Sequence, residues 1–508
     1  MKVSLVVLLC VLGKAMAESH DDGHHEKDHA EDCTYGKLYV LDDSTSNVHV
    51  IDVSKGHLED LTVETTVALP TVGAGELVYY GTSADPLLVQ YRGQEELGYQ
   101  DGFVRVINTG FSYEKECDHL HMEYDAPTVV QNALVDDCAR PIHQVRHDDK
   151  IAIFCDGSFE HDPQVNTTVH VIDETKLGTS ENAIVQSITL PGTHHGVAIP
   201  IDDGHLLHSI ADEERVNGNP NVTSLPATFQ VISMEGSVIH ELADTSNPDT
   251  HCAGFHGSAS VDNTHMLGCD DVHGGVLRIK YDPTSELYTS RALSYPDDAK
   301  YEGFRIGSFA YHKMQDHFVG SYALRGGTEF HLVAIAPDAT AIEESNILTL
   351  PSDTRQCGFE FEVGTGEHFL VLMPNGVLHV FKVNNGAFTA VMEKEIVPGM
   401  TACSEATFVA GIRQVFVATP ATKTLYAIDL ADVDDGNVAI YQSTLAFTPT
   451  DMMVSGFSYK AACNGKAYEP PADCPTESPN SSGAGRMVST TTTELLFSSI
   501  MLAWIFVW

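Results

Sequence analysis

The chain has 508 residues, with 28 Lys and Arg against 71 Asp and Glu, which gives a formal net charge of −43 at pH 7. A surface this acidic repels phosphate backbones, so composition excludes nucleic-acid binding and a polybasic membrane contact. Hydrophobic residues make up 43% and charged residues 19%, so most of the chain can bury a core. The acidic field attracts cations, and 26 histidines add neutral nitrogen ligands to it.

The first 34 residues are expected to lie outside the folded domain. Residues 1–17 contain Lys2, an apolar run and an Ala-Met-Ala cleavage site, which is typical of a signal peptide. Residues 18–34 alternate histidine with acidic residues and predict a disordered tail, either a weak metal binder or a solubilising segment. Its candidate ligands are His20, His24, His25 and His29.

Residues 35–460 repeat. A strand of type x-Leu-x-Val, an acidic or Gly-rich turn and a strand of type Val-x-Val-Ile-Asp recur eight times, mostly 45–65 residues apart. Helical periodicity is nearly absent, so the pattern predicts an all-β fold and, at this period, a β-propeller of four-stranded blades. Eight blades are expected, with seven as the alternative. Residues 37–69 lack an inner strand and Met452–Phe457 lacks partners, so the two ends are expected to share one blade.

Histidines recur where the chain enters three successive inner strands. They are His143, His194 with His195, and His256. In a propeller, these entry loops and the turns between second and third strands lie on one face, beside the central channel. The facing turns carry Asp156 and Asp270. Imidazole nitrogens with a carboxylate oxygen suit Zn²⁺, and imidazole also binds Cu²⁺ and Ni²⁺. The sequence therefore predicts a zinc site at the channel mouth, with satisfied core histidines as the alternative for any single residue.

A second histidine pair lies in the segment Asp118-His119-Leu120-His121. Two histidines one residue apart on an extended segment place both rings on one side, where they can chelate one ion. By strand count, the segment belongs to a connection between outer strands, on the opposite face from His143. The alternative interpretation is a solvated acidic loop.

The remaining signals indicate secretion. Asn166, Asn221 and Asn480 begin N-glycosylation sequons, and an even number of cysteines after removal of the signal peptide indicates disulfides. Short spacing favours the pairs Cys252–Cys269 and Cys463–Cys474. Residues 461–482 form a predicted Cys/Pro-containing stalk. Residues 483–508 have the spacer and short apolar tail of a GPI-anchor signal, with Ser482 as the ω residue and Ser481 or Gly483 as alternatives.

Three stretches resemble the AztD-type zinc metallochaperones, which are periplasmic β-propellers. These stretches are RPIHQVRHDDKIAIFCDG, HHGVAIPIDDGHLL and CAGFHGSASVDNTHMLGCDD. The resemblance runs over residues 35–460 and is specific around 117–275. It implies a zinc site of histidines plus a carboxylate and donation by direct contact. Carried over by position, the implied ligands are His119, His121, His143 and His194 or His195, with His256 in the same ring.

The function expected from the sequence is a cell-surface protein that captures Zn²⁺ and passes it to a transporter or another acceptor. The secretion signals place it on the outer leaflet of the plasma membrane through a lipid anchor, so its recipient differs from a bacterial importer. No G-x-S-x-G or P-loop motif occurs, so an enzyme is not expected. The alternatives are an adhesion or ligand-binding propeller with incidental histidines and, behind it, a metal-dependent hydrolase.

Overall fold

The computed structural model describes most of the chain from Thr34 to Ser458. Within this range, the segments left undescribed are 54–57, 59–60, 70–74, 80–85, 100, 116–119, 160–163, 202–203, 234, 243–246, 248, 250, 271–274, 295–300, 313, 325–328, 351–354 and 365. The expected signal peptide, stalk and anchor signal therefore lie outside the described residues, as do Asn480, Ser482 and the pair Cys463–Cys474. The same is true of the expected tail up to residue 33, whereas Thr34, its predicted last residue, begins the first strand. In the described part of the chain, no helix has the length and apolar character needed to cross a membrane.

The described residues form eight four-stranded antiparallel sheets, which are the eight blades of a β-propeller. The eight-blade expectation is confirmed, and the seven-blade alternative is wrong. Blades 1 to 4 comprise β1 (Thr34–Asp42), β2 (Asn47–Asp52), β3 (Val63–Ala68) and β34 (Asp451–Ser458); β4 (Gly75–Tyr79), β5 (Leu87–Tyr91), β6 (Phe103–Asn108) and β9 (Thr128–Val129); β10 (Pro141–His147), β11 (Lys150–Cys155), β12 (Thr168–Asp173) and β13 (Ile184–Thr189); and β14 (Ala198–Ile201), β15 (His205–Ile210), β16 (Thr228–Ser233) and β17 (Val238–Leu242).

Blades 5 to 8 follow in chain order with the same connectivity. They comprise β18 (Ser258–Val261), β19 (Thr264–Gly268), β20 (Val276–Asp282) and β21 (Leu287–Ala292); β22 (Phe304–Ala310), β23 (Phe318–Leu324), β24 (Phe330–Ile335) and β25 (Ile347–Thr349); β26 (Gly358–Phe361), β27 (Phe369–Leu372), β28 (Val377–Asn384) and β29 (Ala387–Glu395); and β30 (Thr407–Ala410), β31 (Gln414–Thr419), β32 (Thr424–Asp429) and β33 (Ala439–Thr444). A two-stranded hairpin, β7 (Phe111–Lys115) with β8 (Leu120–Tyr124), is inserted in blade 2. The described helices are short: Glu95–Leu97, Glu174–Lys176, α1 (Glu213–Val216), Glu344–Asn346, Cys403–Glu405 and Val433–Asp435.

Burial follows the position of a strand within its blade. Second strands are buried on both faces: every residue of β27 and β31 is buried. Outer strands alternate, as in β13, where half-buried residues face the neighbouring blade and exposed residues face solvent. A side-chain period of two gives this pattern when one sheet face packs and the other is wet. The hydrophobic core therefore consists of side chains packed between neighbouring blades.

The ring closes through a blade built from both ends of the fold. β34 pairs with β1 in antiparallel register, with Tyr39 opposite Met453 and Thr34 opposite Ser458. The expectation that the two ends share a blade is confirmed. Closure removes the sheet edges that an open row of blades would expose.

Strand direction defines two faces of the ring. We call the entry face the one that carries the loops leading into inner strands and the turns between second and third strands; the opposite face carries the other turns. The β7–β8 hairpin connects the third and fourth strands of blade 2, so it leaves from the opposite face, as the strand count predicted. His121 lies on β8, whereas Asp118 and His119 lie outside the described residues.

Candidate metal centre

Three histidine side chains from three successive blades meet on the entry face, at the mouth of the channel. His143 belongs to β10, and His195 and His256 lie in the loops that lead into β14 and β18. The ring centroids of His143 and His195 are 5.1 Å apart, and those of His195 and His256 are 5.4 Å apart. The blade repeat thus assembles residues that are far apart in sequence. We call these three residues the histidine cluster.

A buried carboxylate from the turn after β11 adjoins the cluster. Asp156 is 4% exposed, and its Oδ2 lies 3.2 Å from Nδ1 of His195. Its Oδ1 is buried and has no hydrogen-bond partner among the described residues, and the same is true of Nε2 of His143. Buried polar atoms in folded proteins are nearly always bonded. A bound metal ion would therefore supply the bonding partner that each of these two atoms lacks.

A glycine follows each of the two loop histidines for a steric reason. A Cβ on Gly196 would overlap the Ser209 hydroxyl, and Gly257 has φ +110° with the Gly307 carbonyl 2.6 Å from the place of a Cβ. Only glycine tolerates such a backbone conformation or such a close approach. The His-Gly pairs of the sequence are thus the points where the entry loops turn beside the next strand.

The second nitrogen of each loop histidine is held by the protein. Nδ1 of His195 faces Asp156, and Nδ1 of His256 lies 3.0 Å from the Gly307 carbonyl oxygen on β22. Metal-binding histidines are commonly oriented in this way, with one nitrogen bonded to a carboxylate or carbonyl and the other left for the ion. The contacts therefore leave Nε2 of both rings available to a metal.

Burial keeps the cluster in its ligand form. It lowers the pKa of His143 well below its usual range, and the neighbouring His195 lowers it further. Burial, followed by repulsion from His195, lowers the pKa of His256 to about 4. Burial alone would raise the pKa of Asp156, but His195 and the nearby arginines outweigh it and lower that pKa. At neutral pH, these residues offer two neutral imidazoles and a carboxylate, the protonation states that bind metals.

The ring spacing suits a shared ion, although the cluster is open. A tetrahedral Zn²⁺ about 2.0 Å from each nitrogen separates two bound ring centroids by about 5 Å. However, no three ligand atoms of the cluster and Asp156 lie within 4.8 Å of one another. Closing around an ion therefore requires side-chain rotation.

His194, the other histidine of the pair, points away from the cluster. It is 1% exposed, with Nε2 3.0 Å from the Ser209 hydroxyl and Nδ1 3.3 Å from the Thr167 hydroxyl. Burial lowers its pKa to about 3. Because both nitrogens of His194 already have hydrogen-bond partners, His195 is the better placed of the two for a metal.

The other predicted ligands are less close. Asp270 lies beside the loop of His256, but its Oδ1 is 2.7 Å from a guanidinium nitrogen of Arg305. Nothing is described of the His121 side chain, and its hairpin leaves from the opposite face. His20, His24, His25 and His29 lie outside the described residues. Metal binding by the Asp118–His121 segment, whether together with the histidine cluster or at a second site, thus stays a prediction.

Disulfides staple the loops that carry these residues. Cys252 bonds to Cys269, as expected from spacing, and Cys138 bonds to Cys155 in the blade of His143. A third bond, Cys357–Cys403, joins blades 7 and 8. The first two pairs end directly before Asp156 and Asp270. Cross-links at these points restrict the loops of the histidine cluster.

Sequence reasoning missed four arginines on the same face. Arg140 Nε is 3.9 Å from Asp156 Oδ2, and the charge of Arg92 also acts on Asp156. Arg305 and Arg355 both lower the pKa of His256 from the other side. Arg140 lies only three residues before His143 in the sequence. It was missed because arginine is not a metal ligand and the sequence was searched for ligands.

A separate group of three ligand residues lies between blades 7 and 8. In the described ranges it is the only set whose ligand atoms all lie within 4.8 Å, and it comprises Glu367, His368 and Asp434. Lys382 Nζ lies 2.8 Å from Glu367 and 2.6 Å from Asp434. The lysine ammonium already pairs with both carboxylates, so a surface ion-pair network accounts for the group.

Comparison with known proteins finds one relationship that matters for the site. No family model matches the chain. The zinc chaperone AztD of Citrobacter koseri is 25% identical over 359 residues, which are 70% of this chain and 71% of that protein. The crystal structure of AztD covers 83% of this chain and 98% of its own, with a TM-score of 0.64 and 19% identity. The structure of apo AztD gives the same TM-score and identity, over 84% and 99%. These likenesses agree with the propeller fold.

Proposed function

We propose that the protein binds Zn²⁺ reversibly at the histidine cluster and carries it to an acceptor. His143, His195 and His256 would supply nitrogens, and Asp156 would supply the oxygen. The observation that carries this proposal is the pair of buried, unbonded ligand atoms, Nε2 of His143 and Oδ1 of Asp156, beside two further rings. The similarity to a zinc chaperone supports it.

The residues favour capture and release over permanent retention. The cluster lies at the channel mouth, where an acceptor can approach it, and His195 keeps a side-chain exposure of 19%. Arginines on both sides of the cluster add positive charge that opposes a divalent cation, so they lower its affinity. A carrier must give up its ion, and both features make that step easier.

The ligand chemistry favours zinc among the candidate metals without excluding the others. Three imidazoles and one carboxylate form a tetrahedral nitrogen and oxygen set, which is typical of Zn²⁺. The same set binds Cu²⁺ and Ni²⁺, because geometry and supply rather than raw affinity decide the occupant. Loading the protein with Zn²⁺, Cu²⁺ and Ni²⁺ in competition, followed by metal analysis, distinguishes the three ions.

The proposal includes the cellular setting and the domain organisation expected from the sequence. The chain would be secreted, carry glycans and be held at the outer leaflet by a lipid anchor after residue 482, with a metal-binding tail before the propeller. Three disulfides support an oxidising compartment. The side chains of Asn166 and Asn221 are exposed, as glycan acceptors must be. The acceptor of zinc would be a transporter or another protein at that surface.

Metal analysis of the full-length protein tests the zinc site. After dialysis against a weak chelator, we expect about one Zn²⁺ per chain beyond what the tail retains, and none when both His143→Ala and His195→Ala are introduced. A variant without residues 18–32 separates the contribution of the tail. It should retain the ion and load it more slowly.

The matched control changes two buried blade histidines, His170→Ala with His331→Ala, which lie on β12 and β24. This control also removes two imidazoles from the protein, but it should leave zinc binding intact. Retention of zinc by the first double variant would disprove the site. Loss of zinc in both double variants, with both still folded at the assay temperature, would also disprove it, because the effect would not depend on the cluster.

A further inference from the structure

Two arginines on successive blades lie beside the histidine cluster. Arg305 is the second residue of β22, and Arg355 precedes β26 by three residues, so both are on the entry face. Arg305 donates to the Gly254 carbonyl oxygen at 3.0 Å and contacts Asp270 at 2.7 Å. These contacts fix its guanidinium against the loop that carries His256.

Arg355 lies near the like charge of Arg305 and has no counter-ion among the described residues. In the part of the chain that the structure describes, no carboxylate lies within ion-pair distance of its guanidinium and no acceptor bonds to it, although the residue is half-buried. Burial, followed by repulsion from Arg305, lowers the pKa of Arg355 to about 10. Charges removed from water are normally paired. Arg305 is paired with Asp270, whereas the positive charge of Arg355 has no paired carboxylate among the described residues.

Charge balance at the mouth points in the same direction, and this step rests on the proposed zinc site. Three neutral imidazoles and Asp156 reduce the charge of a bound Zn²⁺ only to +1. Asp156 is already shared with Arg140. Bound zinc would therefore keep a net positive charge near the guanidinium of Arg355, and repulsion between two like charges costs more in a partly buried site than in water. An anion that contacts both the metal and the arginines would remove this cost.

We propose that Arg305 and Arg355 form a carboxylate-binding subsite beside His256, so that Zn²⁺ and a small dicarboxylate occupy the channel mouth together. Guanidinium presents its donors in a planar fork that matches a carboxylate bidentately. A second carboxylate of the same molecule would reach the metal as an oxygen ligand. The ion would then be taken up as a zinc–carboxylate pair.

Titration of full-length protein with malonate tests the subsite. Malonate is titrated into zinc-free and zinc-loaded protein, with malonamide as the uncharged analogue. We expect malonate to bind and malonamide not to bind. Arg355→Gln should weaken malonate binding by about tenfold or more, since a charge-assisted bidentate contact is lost. Arg355→Lys keeps the positive charge but loses the planar guanidinium, so its malonate affinity should lie between those of the wild type and Arg355→Gln. Arg291→Gln, which removes an exposed arginine on β21, is the matched control and should bind as the wild type does.

The outcomes separate this inference from the proposed function. Equal malonate affinity in Arg355→Gln and wild type, or no binding to either form of the protein, overturns the subsite whether or not zinc binds. Binding to zinc-free protein that Arg355→Gln loses supports the subsite even if the zinc site fails. A rise in malonate affinity when residues 18–32 are removed would mean that the acidic tail fills the subsite, and would overturn the small-anion form of the proposal. Unchanged thermal unfolding of Arg355→Gln shows that the variant is folded.

Discussion

The two sides of the channel mouth both hold buried titratable groups, but they use them differently. On blades 3 to 5, the histidine cluster and Asp156 keep unbonded ligand atoms. On blades 7, 8 and 1, Glu360 accepts a hydrogen bond from the Ala410 backbone amide, and Asp451 accepts from the backbone amides of Leu77 and Met452. On the histidine side, ligand atoms lack hydrogen-bond partners, whereas on the other side the carboxyl groups form hydrogen bonds that join neighbouring blades.

A shifted pKa therefore does not identify a functional site on its own. Burial raises the pKa of Glu360 to about 8 and that of Asp451 to about 7, and it lowers the pKa of His256 to about 4. In each case burial disfavours the charged form. An unbonded atom alone is not enough either, since Nε2 of His170 is also buried without a partner but lies within a blade. Unbonded atoms that converge with further ligands distinguish the histidine side.

The largest expected difference between the two sides is in zinc affinity. His256→Ala removes a ligand and should weaken zinc binding by at least about a hundredfold, because losing even an indirect partner of a metal costs about 10- to 100-fold. Glu360→Gln should leave the affinity unchanged. Competition with a chromophoric chelator measures both. A comparable loss in Glu360→Gln would break the distinction between the sides.

A smaller difference is expected in the pH dependence of stability. The unfolded chain loses the Glu360 proton near the ordinary glutamate pKa of 4.5, whereas the folded chain keeps it up to about 8, so folding is progressively disfavoured as the pH rises between these values. Glu360→Gln removes this dependence. Its free energy of unfolding should match wild type near pH 4 and exceed it by on the order of 4 kcal/mol at pH 8. Denaturant unfolding at both pH values measures the difference, and a constant offset would contradict a buried neutral carboxyl.

The smallest effect is expected for a histidine outside the mouth. Nδ1 of His170 lies 2.9 Å from the Ser187 hydroxyl on the adjacent strand β13. His49 with Thr66 and His331 with Thr349 repeat this third-strand to outer-strand contact. His170→Ala should lower the free energy of unfolding by about 1 kcal/mol and leave zinc binding unchanged. A change in zinc affinity without a change in stability would place His170 in the metal pathway.

The fold was predictable from sequence because its signal is repeated. Eight copies of one strand pair indicate the length and number of the repeats. The incomplete units at residues 37–69 and Met452–Phe457 indicate that the two ends of the fold form one blade. The register of His143, His195 and His256 followed from the same repeat. The choice between His194 and His195 did not, because it depends on a rotamer that Ser209 and Thr167 stabilise. The arginines were missed because their relation to the cluster depends on neighbouring blades.

The shared blade also sets the orientation of the molecule. Asp451 begins β34 on the entry face and accepts from the backbone amide of Leu77, the middle residue of the next inner strand, β4. Because β34 runs away from this face, Ser458 and its partner Thr34 lie at the opposite end of the ring. A chain that continues after Ser458 therefore leaves the propeller on the face opposite the histidine cluster, so the proposed lipid anchor would attach on the side away from the histidines. Attachment through the same chain end to a solid support should leave the mouth equally accessible.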